Sequence, residues 1–80
     1  MKDNQRIFVT GASGLLGSNV VKKLLEDGSE VVAFLRTGSQ RLALKGLDCE
    51  IIEGELDNEK DLKRAIQGCD YVIHCAAKTD

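Results

Sequence analysis

Three glycines spaced three residues apart follow directly on a short apolar run near the start of the chain. The run is Ile7-Phe8-Val9, and the glycines are Gly11, Gly14 and Gly17. Beyond them the apolar residues recur every three or four positions until Gly28, which is typical of an amphipathic helix closed by a left-handed glycine. A buried strand, a glycine turn and an amphipathic helix in this order predict an α/β domain.

Each glycine of this turn has a separate physical task. Gly11 permits the tight turn, Gly14 lets the backbone approach a bound pyrophosphate, and Gly17 lets the helix pack closely. The unpaired amides and the positive dipole end of the helix attract an anion there. Glycines that serve only turning and packing are the alternative, but the flanking strand and helix favour a dinucleotide. A triphosphatase loop would need a lysine where Ser18 follows Gly17.

Apolar strands and helices alternate along the rest of the sequence. The pattern predicts strands at 6–10, 30–35, 49–53 and 71–76, a helix from 14 to 27, a short helical segment at 41–45, and a helix that starts at Asp57 or Asn58 and ends at Gly68. The predicted apolar stripes of the two longer helices are Leu16, Val20, Val21, Leu24 and Leu25 in the first, and Leu62, Ala65 and Ile66 in the second. Crossover connections make the strands parallel and place helices on both faces of the sheet. Because the chain begins with a dinucleotide-binding turn, the expected strand order is 3-2-1-4.

Several short stretches together resemble the extended short-chain dehydrogenase/reductases, also described as the NAD-dependent epimerase/dehydratase group. Besides the glycine turn they are Phe34-Leu35-Arg36-Thr37-Gly38-Ser39, Glu53-Gly54-Glu55-Leu56 and His74-Cys75-Ala76-Ala77. The resemblance covers nearly the whole chain and is greatest for dihydroflavonol-reductase-like members, which carry an arginine at the end of strand two. It implies half of a Rossmann doubly wound parallel sheet, with residues 1–80 as the N-terminal part of a dinucleotide-binding domain.

The resemblance also implies which residues contact a nicotinamide dinucleotide. They are Gly11, Ser13, Gly14, Leu15 and Leu16 along the pyrophosphate, with Gly17 completing the same cofactor-binding motif, Arg36 at the adenosine ribose, Glu55 with Leu56 near the adenine, and Ala76 and Ala77 along the ribose next to the nicotinamide. At the position of Glu55 the family usually has an aspartate. A solvated charge within a loose acidic run is the other interpretation of Glu55.

Arg36 decides the expected cofactor. Strand two ends about 20 residues after the glycine turn, where an acidic side chain would accept from the ribose 2′-hydroxyl and repel a 2′-phosphate. Arg36 offers a planar fork of donors to that phosphate instead, and Ser39 or Arg41 can add to it. We therefore expect NADP(H) to be preferred over NAD(H), with a solvated arginine as the alternative.

No catalytic residue is assigned within these 80 residues. The family takes its proton-transfer group from a Tyr-x-x-x-Lys pair, but the one tyrosine, Tyr71, is followed four residues later by Cys75. His74 lies in an apolar strand, where a hydrogen-bonded structural role is the main alternative to acid or base catalysis. No set of Cys, His and carboxylates has metal-ligand spacing. The expected function is therefore the NAD(P)(H)-binding portion of an oxidoreductase or nucleotide-sugar epimerase/dehydratase that acts on a carbonyl or sugar substrate, and a non-catalytic regulatory module is the alternative.

The composition of the chain indicates which binding partners and which cellular compartment to expect. Eleven Lys and Arg against thirteen Asp and Glu give a net charge of -2, which argues against a nucleic-acid partner. The apolar runs are far shorter than the ~20 residues of a membrane-spanning helix, and no secretion signal is evident, so a cytoplasmic location is expected. The three cysteines, Cys49, Cys69 and Cys75, are expected to be reduced and buried.

The chain is short for its class, and we expect it to be the first part of a longer protein. Strand four then has an outer edge that the rest of the sheet would cover, with Val72 and Ile73 beside it. The isolated chain is therefore expected to self-associate and to be inactive by itself.

Overall fold

A computed structural model describes residues 5–75 of the chain. The elements are β1 (Arg6–Thr10), α1 (Leu15–Glu26), β2 (Glu30–Arg36), a 3-10 turn (Leu42–Leu44), β3 (Glu50–Gly54), α2 (Glu59–Ile66) and β4 (Tyr71–His74). The alternation predicted from the sequence is confirmed, with strand ends that shift by one or two residues.

The strands within residues 5–75 form one parallel sheet in the order β3-β2-β1-β4. Ile73, Val9, Ala33 and Ile51 align in register across all of them. This order confirms the predicted half of a doubly wound sheet. Because the chain runs outward from β1 in both directions, a crevice opens at the carboxyl ends of the strands.

The two helices cover opposite faces of the sheet, as predicted. Val21 of α1 packs with Val9 and Leu35 on one face. Ala65 of α2 packs with the side chains of Phe8 and Phe34 on the other. The alternate residues of β1 and β2 therefore enter two separate cores, which explains why both strands are apolar throughout.

Two residues of the predicted apolar stripes are exposed. Leu16, in the first turn of α1, is 64% exposed and lines the cleft. The other predicted residues of α1 do pack against the core, with Val21 fully buried and Val20, Leu24 and Leu25 partly buried around it. Ile66, the last residue of α2, is 36% exposed. A helical period shows which residues share a face, but not how far that face extends over the sheet.

The three cysteines are less buried than the sequence predicted. All three thiols are free and only partly buried. Cys49 precedes β3, Cys69 lies in the loop before β4, and Cys75 follows β4. Each cysteine stands within two residues of a strand end, where it packs against one of the two cores without being enclosed by it.

Local signals account for the helix ends. Asn58, not Asp57, caps α2, since its side-chain oxygen accepts a hydrogen bond from the Asp61 amide at 3.1 Å. Gly28, just past α1, has a φ of 88°, the left-handed conformation that was predicted for it.

Strand β4 has an exposed outer side in the part of the chain that the structure describes. Tyr71 and Val72 are 54% and 59% exposed. No helix among residues 5–75 is long and apolar enough to cross a membrane.

Candidate functional site

A cleft of about 650 Å³ lies at the carboxyl ends of β1, β2 and β3. Its walls are the glycine turn, the end of β2 and the loop after β3. It brings together the predicted cofactor residues Gly11, Ser13, Gly14, Leu15, Leu16, Gly17, Arg36, Glu55 and Leu56. The remaining two, Ala76 and Ala77, lie outside the described residues.

The glycine turn has the geometry that its spacing predicts. Gly11 has a φ of 66°, and its carbonyl oxygen accepts a hydrogen bond from the Gly14 amide at 3.3 Å. A Cβ on Gly17 would lie 2.1 Å from that same oxygen and 2.8 Å from Cα of Ala12. A Cβ on Gly14 would be 3.7 Å from the Gly11 oxygen, an ordinary contact. Gly17 is therefore required by packing, whereas Gly14 leaves its backbone accessible from the cleft.

The first turn of α1 opens into the cleft without a side-chain cap. Its N-cap residue is Gly14, and no acidic residue occupies the first turn. The first amides of a helix have no partner within the helix, and they carry the positive end of its dipole. Leu15 is 82% exposed beside them. This wall of the cleft is suited to an anion.

Arg36 and Ser39 form the wall at the end of β2. The turn between them is closed by a hydrogen bond from the Ser39 amide to the Arg36 carbonyl oxygen at 2.9 Å, and Gly38 within it has a φ of 86°. Both residues line the cleft, and the Arg36 side chain has no ion-pair partner within residues 5–75.

Arg41, the other candidate to assist Arg36, is engaged elsewhere. Its guanidinium donates two hydrogen bonds to one carboxylate oxygen of Glu53, from Nη2 at 2.8 Å and from Nε at 3.3 Å. It is not among the residues that line the cleft. Of the two candidates, only Ser39 therefore shares the cleft with Arg36.

The loop after β3 is attached to α2 by a residue that the sequence analysis missed. Asp61 Oδ2 accepts a hydrogen bond from the Glu55 amide at 3.0 Å. A Cβ on Gly54 would lie 2.9 Å from the Asp61 side chain. A glycine at the end of a strand and a carboxylate in the first turn of the next helix are the only sequence signals of this contact.

His74 makes a structural hydrogen bond across the sheet. Its Nδ1 lies 2.7 Å from the hydroxyl oxygen of Thr10, a residue only 2% exposed. The next amide, that of Cys75, donates to the Thr10 carbonyl oxygen at 3.1 Å. Cys75 lines the cleft and His74 does not. The geometry favours the structural interpretation of His74 over acid or base catalysis.

The surroundings of Cys49 and Cys69 favour the protonated thiol over the thiolate. Burial raises the pKa of Cys49, and the nearby Asp48 charge adds to the effect. Burial also raises the pKa of Cys69, against the opposing influence of Arg6. Because the thiolate is the reactive form, both are poor nucleophiles at neutral pH. Within residues 5–75 no group of three or more Cys, His, Asp or Glu is placed to hold a metal ion.

The strand order, the glycine turn and the cleft together define the N-terminal half of a Rossmann-type dinucleotide-binding sheet. The sequence profile of the NAD dependent epimerase/dehydratase family matches residues 7–80. The chain belongs to this family, as its resemblance to the extended short-chain dehydrogenase/reductases indicated.

Its relatives include reductases, dehydrogenases and epimerases. It is 37% identical over 76 residues to a sterol-4-alpha-carboxylate 3-dehydrogenase (decarboxylating) of Dictyostelium discoideum, covering 95% of this chain and 23% of that protein. It is 41% identical over 70 residues to a putative dihydroflavonol 4-reductase of Synechocystis, covering 88% and 20%. A solved UDP-glucose 4-epimerase from Bifidobacterium longum, in complex with NAD+ and UDP, superposes with a TM-score of 0.83 at 25% identity, covering 94% and 25%. The chain thus spans about a quarter or less of the length of each.

Proposed function

We propose that residues 1–80 form the N-terminal part of a dinucleotide-binding domain that holds a nicotinamide dinucleotide. The observation that carries the proposal is the close approach of Gly17 to Gly11, which seats the uncapped first turn of α1 at the cleft. A turn built this tightly leaves backbone amides, rather than side chains, facing the space that a pyrophosphate would take.

The residues that line the cleft support an assignment of its parts to the pyrophosphate and the adenosine of such a cofactor. The backbone of residues 11–17 would hold the pyrophosphate, with Leu15 and Leu16 beside it. Arg36 and Ser39 would contact the adenosine ribose, and Glu55 with Leu56 would lie along the adenine. Ala76 and Ala77 are assigned to the ribose next to the nicotinamide. The bound nicotinamide would supply or accept a hydride.

Arg36 makes NADP(H) the preferred cofactor in this proposal. It has no ion-pair partner among residues 5–75, so its guanidinium is available to a 2′-phosphate. A hydrogen bond to a charged group contributes ~1.5–3 kcal/mol, which corresponds to a preference of roughly 10- to 150-fold. Glu55 and Asp57 line the adjoining wall and oppose this preference, so the proposal depends on direct contact between the Arg36 guanidinium and the 2′-phosphate.

The proton-transfer residues of the reaction would come from other parts of the native polypeptide. A Tyr-x-x-x-Lys pair is absent from the sequence, and Tyr71 begins β4, at the end of the sheet opposite the cleft. The substrate would be a carbonyl compound or a sugar, as the names of the relatives suggest. Residues 1–80 contribute cofactor binding, not the chemical step.

Titration of NADPH and NADH into the native polypeptide, followed by nicotinamide fluorescence, tests the proposal. We expect both to bind, with NADPH tighter by roughly 10- to 150-fold. Equal affinities would contradict the preference for NADP(H). Failure of both to bind would contradict the dinucleotide site itself.

A further inference from the structure

Helix α2 holds the end of β3 with two charged side chains. Asp61 Oδ2 accepts from the Glu55 amide at 3.0 Å, and Arg64 Nη2 donates to the Glu53 carbonyl oxygen at 3.2 Å. The two contacts lie on either side of Gly54. The charged groups of Asp61 and Arg64 are 3.9 Å apart, so they form one unit, which we call the Asp61–Arg64 clamp.

The clamp closes tightly on Gly54. This glycine is buried, and a Cβ on it would lie 2.9 Å from the Asp61 Cβ, Cγ and Oδ2 atoms. Any larger residue would push the strand and the helix apart. The position therefore requires glycine because of the Asp61 side chain, although its backbone is not in the left-handed region.

Asp61 contributes more to the clamp than Arg64. The Asp61 side chain is 24% exposed, whereas that of Arg64 is 60% exposed. Asp61 is also fixed at its own backbone, since its amide donates to the Asn58 side-chain oxygen at 3.1 Å. A hydrogen bond from a half-buried amide to an ionised carboxylate is among the stronger ones in proteins.

The residues that follow the clamp form one wall of the cleft. Glu55, Leu56 and Asp57 line it directly after Gly54. Gly54 is also the register partner of Arg36, so this wall adjoins the residue that we assign to the adenosine ribose. Whatever fixes the Glu55 amide therefore also fixes the surface presented to the adenosine end of the cofactor.

We propose that Asp61 is a positioning residue that sets the affinity of the cleft for the adenosine end of the dinucleotide. It acts through the Glu55 backbone and does not itself touch the cofactor. The inference rests on the proposed function and adds to it a specificity-determining residue on a helix outside the cleft.

The test uses three variants of the native polypeptide and two probes. Asp61→Ala removes the acceptor, Asp61→Asn retains an acceptor oxygen of the same reach, and Glu59→Ala removes an exposed charge from the same helical turn. The probes are 2′,5′-ADP, which represents the adenosine end, and reduced nicotinamide mononucleotide. We expect Asp61→Ala to weaken 2′,5′-ADP binding about tenfold. Asp61→Asn, which keeps an acceptor oxygen but loses the charge, should lose less 2′,5′-ADP binding than Asp61→Ala. Glu59→Ala should bind 2′,5′-ADP as the wild type does, and the mononucleotide should be unaffected throughout.

The outcomes separate this inference from the proposed function. Unchanged 2′,5′-ADP binding by Asp61→Ala, or an equal loss in Glu59→Ala, overturns the positioning role. An equal loss for the mononucleotide also overturns it, because Asp61 would then support the whole fold. If Asp61→Ala does not fold, Asp61→Glu, which keeps the charge but moves the acceptor by one methylene, should show the same selective loss. A wild type that binds neither 2′,5′-ADP nor NADPH refutes the proposed function instead.

Discussion

The missing side chain of Gly17 is what allows α1 to lie against the Gly11 carbonyl oxygen. A Cβ on Gly17 would lie only 2.1 Å from that oxygen, whereas a Cβ on Gly14 would lie 3.7 Å from it. Two glycines of one motif therefore have different roles, the former in packing and the latter in ligand approach. Substitution of each glycine by alanine distinguishes the packing role from the binding role.

Gly17→Ala should destabilise the protein by ~1–3 kcal/mol, because the added methyl group forces the helix away from the turn. Urea unfolding measures this loss, and NADPH binding should be lost with it because the amides of the first turn of α1 move.

Gly14→Ala is the matched control. It should cost less than about 1 kcal/mol of stability, the expense of alanine at an N-cap, yet still weaken NADPH binding because its methyl group enters the cleft. Equal stability losses in both variants would contradict this division of roles.

The local patterns of the sequence predicted the fold well, because strands, helices and the glycine turn are each encoded within a few residues. The strand order followed from the glycine turn and right-handed crossovers. The assignment of Leu16 to the buried stripe of α1 was wrong, because periodicity does not show where the helix starts relative to the sheet, whereas its assignment to the cleft agrees with the structure. The Asp61 contact and the Arg41–Glu53 ion pair could not be predicted, since both depend on the distance between a loop and its neighbouring element.

The Thr10–His74 hydrogen bond should contribute about 1 kcal/mol to the free energy of unfolding. Thr10→Val removes the hydroxyl group while keeping the shape of the side chain, and His74→Ala removes its partner. A double-mutant cycle measured by urea unfolding should give a coupling energy of about that size. Thr10→Ser, which keeps the hydroxyl, should retain most of the stability, and a coupling energy near zero would refute the contact.

Stability should fall at alkaline pH partly because of Cys49. Burial raises the pKa of this thiol above the ordinary value of 9.0, so the unfolded chain loses the proton first as the pH rises. The stability that the neutral thiol contributes is fully present below about pH 9 and decreases above it. Urea unfolding between pH 7 and about pH 10.5 should show a smaller alkaline loss in Cys49→Ala than in the wild type. Parallel profiles would contradict the raised pKa.

Residues 1–80 prepared alone should self-associate through the exposed side of β4. Val72 is 59% exposed there, and edge strands offer unpaired backbone groups to another chain. Val72→Lys should shift sedimentation across a concentration series toward the monomer. Leu42→Lys is the matched control, because Leu42 is 74% exposed but lies in the 3-10 turn. A wild-type chain that stays monomeric at high concentration would contradict self-association through β4.

Arg36→Leu should change the cofactor preference of the native polypeptide. It should weaken NADPH binding by roughly 10- to 150-fold, because a charge-assisted hydrogen bond contributes ~1.5–3 kcal/mol. NADH binding should be nearly unchanged, because NADH lacks the 2′-phosphate. Titration of both cofactors against both proteins measures the two effects.

Lys45→Leu controls for the loss of a positive charge. Lys45 is exposed, follows the same loop, and is not among the residues that line the cleft. If long-range attraction were responsible, this variant would weaken NADPH binding as Arg36→Leu does, and the loss would be screened by added salt. A contact between the guanidinium and the phosphate predicts a loss in Arg36→Leu alone. If Arg36→Leu lost the same affinity for NADPH and NADH, Arg36 would support the structure of the cleft and would not contact the 2′-phosphate.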